Sequence, residues 1–104
     1  MSSGADSALR LIEAGTSGDT SDEFLLPGGK HVTIFAGVLA GVEEVHLQMK
    51  NADGNWVEVI DAGVPLVAAS NATGIFAKGV YRVVKDATVG AAYVDIFGAQ
   101  FKER

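Results

Sequence analysis

A chain of 104 residues with 48% apolar content and a net charge of −5 is long enough for one core and too apolar for overall disorder. It has no cysteine, which excludes disulfides, thiol nucleophiles and thiolate metal ligands. No block of lysine or arginine occurs, and no apolar run approaches the roughly 20 residues of a membrane-spanning helix, so neither nucleic acid nor membrane is an expected partner.

Met1 to Ser7 is small and polar, lacks the basic-then-apolar pattern of a secretion signal, and reads as a mobile arm. Ala8 to Ala14 fits two readings. Leu9, Leu11 and Ile12 would line a short helix capped by Ser7 and stopped by Gly15; alternatively Leu9 and Leu11 alternate with Arg10 in a first strand. The strand is preferred, because so short a helix needs packing to survive. Gly15 to Asp22 is a polar loop by composition. Phe24 to Leu26 is a short strand stopped by Pro27-Gly28-Gly29. Lys30 to Ala36 is a better one, with Val32 and Ile34 opposed to His31, Thr33 and Phe35. Gly37 to Gly41 is a small-residue turn.

Val42 to Asp61 carries the clearest signal. Val45, Leu47 and Met49 alternate with His46, Gln48 and Lys50, the period of a half-buried strand. Asp53-Gly54 supplies residues that tolerate positive φ, and Trp56, Val57, Val59 and Ile60 return, making a β-hairpin. Both faces of the return carry apolar residues, which points to cover on both sides, as by a second subunit. Asp61-Ala62-Gly63 turns the chain. Val64 to Ala68 is interrupted by Pro65, suggesting an edge. Ser70-Asn71 turns into Ala72 to Ala77, and Lys78-Gly79 leads into Val80 to Lys85. Ala91 to Phe97 closes the set, with Tyr93, Asp95 and Phe97 opposed to Val94 and Ile96. Gln100 to Arg104 is a charged tail.

Eight or nine short strands, with a turn signal about every eight to twelve residues, predict an all-β domain. The expectation is a single antiparallel β-sandwich over residues 8–99, immunoglobulin-like or related, with little helix. An arm over 1–7 and a tail over 100–104 flank it. In Gly79-Val80-Tyr81-Arg82-Val83, Tyr81 holds the place of the corner tyrosine of immunoglobulin-like sandwiches, whose hydroxyl bonds back to upstream backbone. Val83 would then point inward, with Trp56 or Phe35 filling the core beneath.

The chemistry-bearing residues are sparse. Asn51, Asp53 and Asn55 around Gly54 echo the start of a calcium loop, but the pattern lacks glycine at its sixth place and has Ala62 at its acidic end. Hairpin-turn chemistry accounts for all three. His31 and His46 occupy polar strand positions, with no glutamate or aspartate at a zinc-site spacing. Asp19, Asp22, Glu23, Glu43, Glu44, Glu58, Asp61, Asp86 and Asp95 are scattered and read as a solvated surface rather than a glycosidase pair. No nucleophile elbow and no phosphate loop occur. No catalytic residue, cofactor or metal is expected, and the chain reads as a non-enzyme.

Four segments carry a resemblance: Gly15 to Phe24 (Gly-Thr-Ser-Gly-Asp-Thr-Ser-Asp-Glu-Phe), Leu26 to Thr33 (Leu-Pro-Gly-Gly-Lys-His-Val-Thr), Asp53 to Trp56, and Gly79 to Lys85. In these the chain resembles small bacteriophage virion proteins. The resemblance implies a sandwich that decorates a capsid or belongs to the tail apparatus, and it brings no catalytic residues. The expectation is a capsid decoration, or cement, protein on the outer shell, assembled in the host cytoplasm and located in the virion. Its partner would be the major capsid protein or another virion protein, and it would be a homo-oligomer. The candidate interaction surface is Ser2, Ser3 and Asp6 of the arm, Asn51, Asp53 and Asn55 of the turn, and Trp56, which becomes an anchor if it lies outward with Glu58. The alternative is a carbohydrate-binding or adhesive module that stacks Trp56, Tyr81 or Tyr93 on sugar rings.

Overall fold

The computed structural model describes residues 8–26, 32–60, 63–75 and 77–98. These contain nine strands and no helix: β1 Ala8–Gly15, β2 Asp19–Thr20, β3 Phe24–Leu26, β4 Val32–Gly37, β5 Val45–Lys50, β6 Trp56–Glu58, β7 Ala72–Ile75, β8 Gly79–Lys85 and β9 Ala92–Phe97. Period-two alternation decides which side chains meet. β4 sends Val32, Ile34 and Ala36 inward, β5 Val45 and Leu47, β8 Tyr81 and Val83, and β9 Val94 and Ile96; all are buried in one core with Ile12, Phe24 and Leu26. Burying each such aliphatic or aromatic side chain is worth about 1.5–3 kcal/mol, before the entropy that opposes it.

The described strands form two antiparallel sheets, one in the order β1-β9-β4-β7 and one in the order β2-β8-β5-β6, with β3 also on β8. β2 and β3 lie end to end along one side of β8, Thr20 opposite Val84 and Phe24 opposite Tyr81. Ser21 fills the gap between them. Its amide donates to the Val83 carbonyl at 2.9 Å, and its hydroxyl accepts the Val83 amide at 3.0 Å. The two pieces therefore act as one interrupted strand. The pairs are then nested: β1 with β9, β2/β3 with β8, β4 with β7, and β5 with β6. This long hairpin is folded over so that β9 meets β4 and β8 meets β5. That is the order of a jelly roll, a double-sheet sandwich. An immunoglobulin domain keeps its first two strands in one sheet, whereas β1 and β2 lie in opposite ones, so the sandwich is of the related kind.

Local departures from the sequence reading have physical causes. β1 is a strand, but its register slips between Arg10 and Ile12, so Ile12 enters the core while Leu9 stays partly exposed. The polar Gly15 to Asp22 stretch contains β2. Val64 to Ala68 forms no strand and makes isolated bridges, among them Val45 to Leu66 and Val67 to Ser70, although Leu66 is fully buried. Tyr81 donates its hydroxyl to the Ala77 carbonyl at 2.9 Å, as a corner tyrosine does. The ring beneath it is Phe24, stacked at 6.0 Å, and not Trp56 or Phe35, both of which lie outside the core.

The β1–β2, β4–β5 and β8–β9 connections gather at one end and are tied there. Lys85 is buried, and its ammonium donates to the carbonyls of Gly15 at 3.1 Å, Ser17 at 2.5 Å and Asp86 at 3.4 Å, which supplies the partners a buried cation needs. Glu43 accepts the amides of Ala40 and Val89, each at 2.8 Å, linking two of the loops. The β5–β6 turn and the start of β1 lie at the other end, where Ala8 faces Phe97.

Candidate functional site

The β5–β6 hairpin positions the most chemically varied surface. In its turn the Asn51 side-chain oxygen accepts the amides of Asp53 and Asn55, each at 3.0 Å, while Gly54 takes φ 85°. That oxygen is spent inside the turn, as turn chemistry requires. Asn51, Asp53 and Asn55 are all exposed at the tip. Ser2, Ser3 and Asp6 lie outside the described residues, as do His31, Phe76 and Phe101.

Pairing of Gln48 with Glu58 and Lys50 with Trp56 puts His46, Gln48 and Lys50 on the same outer face as Trp56 and Glu58. Trp56 thus meets the condition for an anchor. Pairing with β8 adds Arg82 beside Gln48 and Val84 beside His46. The Arg82 guanidinium lies 4.4 Å from the Trp56 ring centroid and the Lys50 ammonium 5.1 Å from it, both cation–π contacts. Each cation is itself held: Arg82 Nε donates to Gln48 Oε1 at 2.7 Å, and Lys50 lies 3.3 Å from Glu23 Oε1. Leu25, 65% exposed and opposite Val80, extends this patch.

Further along the same face His46 sits among carboxylates. Its Nδ1 is 2.8 Å from Glu58 Oε2, and its Nε2 lies 3.4 Å from Glu44 Oε1 and 3.5 Å from Asp86 Oδ1. The Glu44 amide donates to Asp86 Oδ2 at 3.1 Å, fixing that carboxylate. Desolvation lowers the His46 pKa and is the largest single contribution; the Glu58 hydrogen bond and the charges of Glu58, Asp86 and Glu44 together outweigh it, so the net shift is upward. The sequence places no glutamate or aspartate at a zinc-motif spacing from His46, yet the fold brings three carboxylates to its ring. Spacing rules for metal motifs missed the set because Asp86 arrives from the far end of β8. The signal that was legible is Glu44, two residues from His46 and so on its face, with Glu58 across the hairpin.

On the outer face of the other sheet, Phe35 packs on Tyr93 and Phe97 at centroid distances of 6.1 and 6.5 Å. Arg10 covers the Tyr93 ring at 4.3 Å and pairs with Asp95. Asp95 is buried, which corrects its reading as a solvated carboxylate. An apolar cleft of about 350 Å³ opens between the sheet edges, lined by Leu47, Val59, Val64, Thr73, Ile75 and Tyr81 among others. Among the described residues on its walls the titratable group is the Tyr81 hydroxyl, which donates to the Ala77 carbonyl. Among the described residues no buried side-chain nitrogen or oxygen lacks a partner, and no helix is long and apolar enough to cross a membrane. No protein-family model, no curated protein and no solved structure matches this chain.

Proposed function

We propose that this protein is a non-enzymatic structural component of a virion, a capsid decoration protein that docks on the outer shell through the outer face of the β3-β8-β5-β6 sheet. The observation that carries the reading is the Trp56 patch. A large aromatic is fixed by two anchored cations, beside an exposed leucine and an acidic cluster. A surface of mixed charge with a central aromatic suits a protein partner, such as the major capsid protein or another virion protein. The resemblance in sequence to small phage virion proteins supports the same reading. So does the jelly-roll order, which recurs in viral capsid domains, although it recurs in lectins as well and is an analogy of fold.

The carbohydrate alternative asks for an open aromatic face. Tyr81 is buried, Tyr93 lies under Arg10, and Trp56 carries Arg82 and Lys50, so each of these aromatics is already engaged by groups of the chain itself. The test is mass spectrometry of purified particles with copy counting, followed by co-sedimentation of the isolated protein. Many copies per particle, and binding weakened about tenfold or more by Trp56→Ala, are expected. Absence from particles together with saturable binding to a glycan panel would replace this reading with the sugar-binding one.

A further inference from the structure

We propose that Glu44, His46 and Asp86 form a site for a divalent transition-metal cation, with Zn²⁺ as the ion whose geometry fits, and with Glu58 as a positioning residue. The His46 imidazole is the centre of the cluster. Its Nδ1 is in hydrogen-bond contact with Glu58 Oε2 at 2.8 Å, which in the neutral ring places the proton on Nδ1. Nε2 then turns a lone pair toward two carboxylate oxygens at 3.4 and 3.5 Å. Those separations exceed the usual N–H···O range of about 2.7–3.2 Å. They match the spacing of about 3.3 Å between two donors that each lie about 2.0–2.1 Å from one tetrahedral ion. The three candidate donor atoms all fall within 4.8 Å of one another.

The supporting contacts follow the pattern of metal-binding histidines. Such a histidine commonly donates its second ring nitrogen to a carboxylate, which fixes tautomer and orientation; Glu58 takes that place. Asp86 is held through its other oxygen by the Glu44 amide, leaving Oδ1 free to face His46. Among the described residues no lysine or arginine pairs with Glu44, Glu58 or Asp86, so their negative charge meets only the imidazole. Lys85, next in the chain, is turned inward to backbone carbonyls. One imidazole with two carboxylates selects zinc-like ions over calcium and magnesium, which prefer all-oxygen shells. Three protein ligands on a partly exposed surface leave a fourth position open to water. The site adjoins the Trp56 patch and does not depend on the docking reading.

The test is calorimetric titration of the untagged full chain, stripped with chelator, with Zn²⁺ alone near neutral pH. One saturable site per chain is expected, with the imidazole NMR signals of His46 shifting on binding. His46→Gln and Asp86→Asn should lose it, His31→Gln should keep it, and Glu58→Gln should weaken it by about 10- to 100-fold. His46, Glu58 and Asp86 are each at least partly exposed, and circular dichroism of every variant checks the fold. The proposal is overturned if the native chain shows no saturable Zn²⁺ site, or if His46→Gln binds as tightly as the native chain. Displacement of Zn²⁺ by an equal concentration of Ca²⁺ would also overturn it, reducing the cluster to an unspecific acidic surface.

Discussion

Tyr81 serves two demands at once. Its ring is buried against Phe24, and its hydroxyl must find a partner there, which it does at the Ala77 carbonyl. Burial raises its pKa, as expected for a phenol that loses solvent around its anionic form. Tyr81→Phe keeps the packing and removes the bond, so it should cost about 1 kcal/mol in a denaturant melt; no loss would mean that the hydroxyl merely trades water for the carbonyl. His46 gives a prediction with a sign. In chelator-treated protein its folded pKa lies above the unfolded value, desolvation being overcome by Glu58, Asp86 and Glu44. The stabilisation is therefore fully present below the unfolded pKa of about 6.5 and is lost as pH rises through the higher folded value. The stability gap between the native chain and His46→Gln should be wider near pH 5.5 than near pH 8.5. A gap that widens upward instead would show that the imidazole is held neutral.

At the scale of elements, the end of β4 divides its labour unusually. Gly37 lies under the Tyr93 ring, where an added Cβ would approach Cζ to 2.3 Å, so the glycine serves packing. The left-handed turn that follows falls instead on Val38, at φ 67°. A branched residue there costs about 1–2 kcal/mol. Val38 is 54% exposed, so little burial offsets that cost. Val38→Asn should raise the melting temperature by roughly 4–8 °C for each kcal/mol relieved. A fall would mean that the contact of Val38 with Gly90 outweighs the backbone strain. These features mark what a sequence can disclose. Alternation located β4, β5 and β9 and sorted their faces, because a period of two is a local property, while the inward side of β8 came from the corner-tyrosine place of Tyr81. β2 was hidden, because Asp19 and Thr20 are polar and pair only through a two-residue register with β8. The nested strand order and the Asp86 to His46 approach were hidden for a deeper reason, since both depend on which distant strands meet. Trp56 could not be placed while both faces of its strand were apolar, and the Lys50 register settled it.

The whole molecule is a set of hairpin pairs nested inside one another, and that arrangement has kinetic consequences. β5 and β6 close across the short Asn51 to Asn55 turn, so their pairing costs little loop entropy. β4 can meet β7 only after the chain between Gly37 and Ala72 is looped out, and β1 meets β9 only across nearly the whole described chain. Contacts of such separation slow folding, and refolding is expected on the millisecond-to-second scale typical of β-sandwiches. The order of closure also predicts where the transition state is structured. Leu47 of β5 is buried beside the innermost pair, whereas Ile12 of β1 is buried in the outermost. Leu47→Ala should therefore act mainly by slowing refolding, and Ile12→Val mainly by speeding unfolding. Stopped-flow measurements across a range of denaturant separate the two limbs. If Ile12→Val instead slows refolding while Leu47→Ala leaves it unchanged, the roll would have to nucleate at the β1–β9 edge. Loop entropy would then not be what orders its assembly.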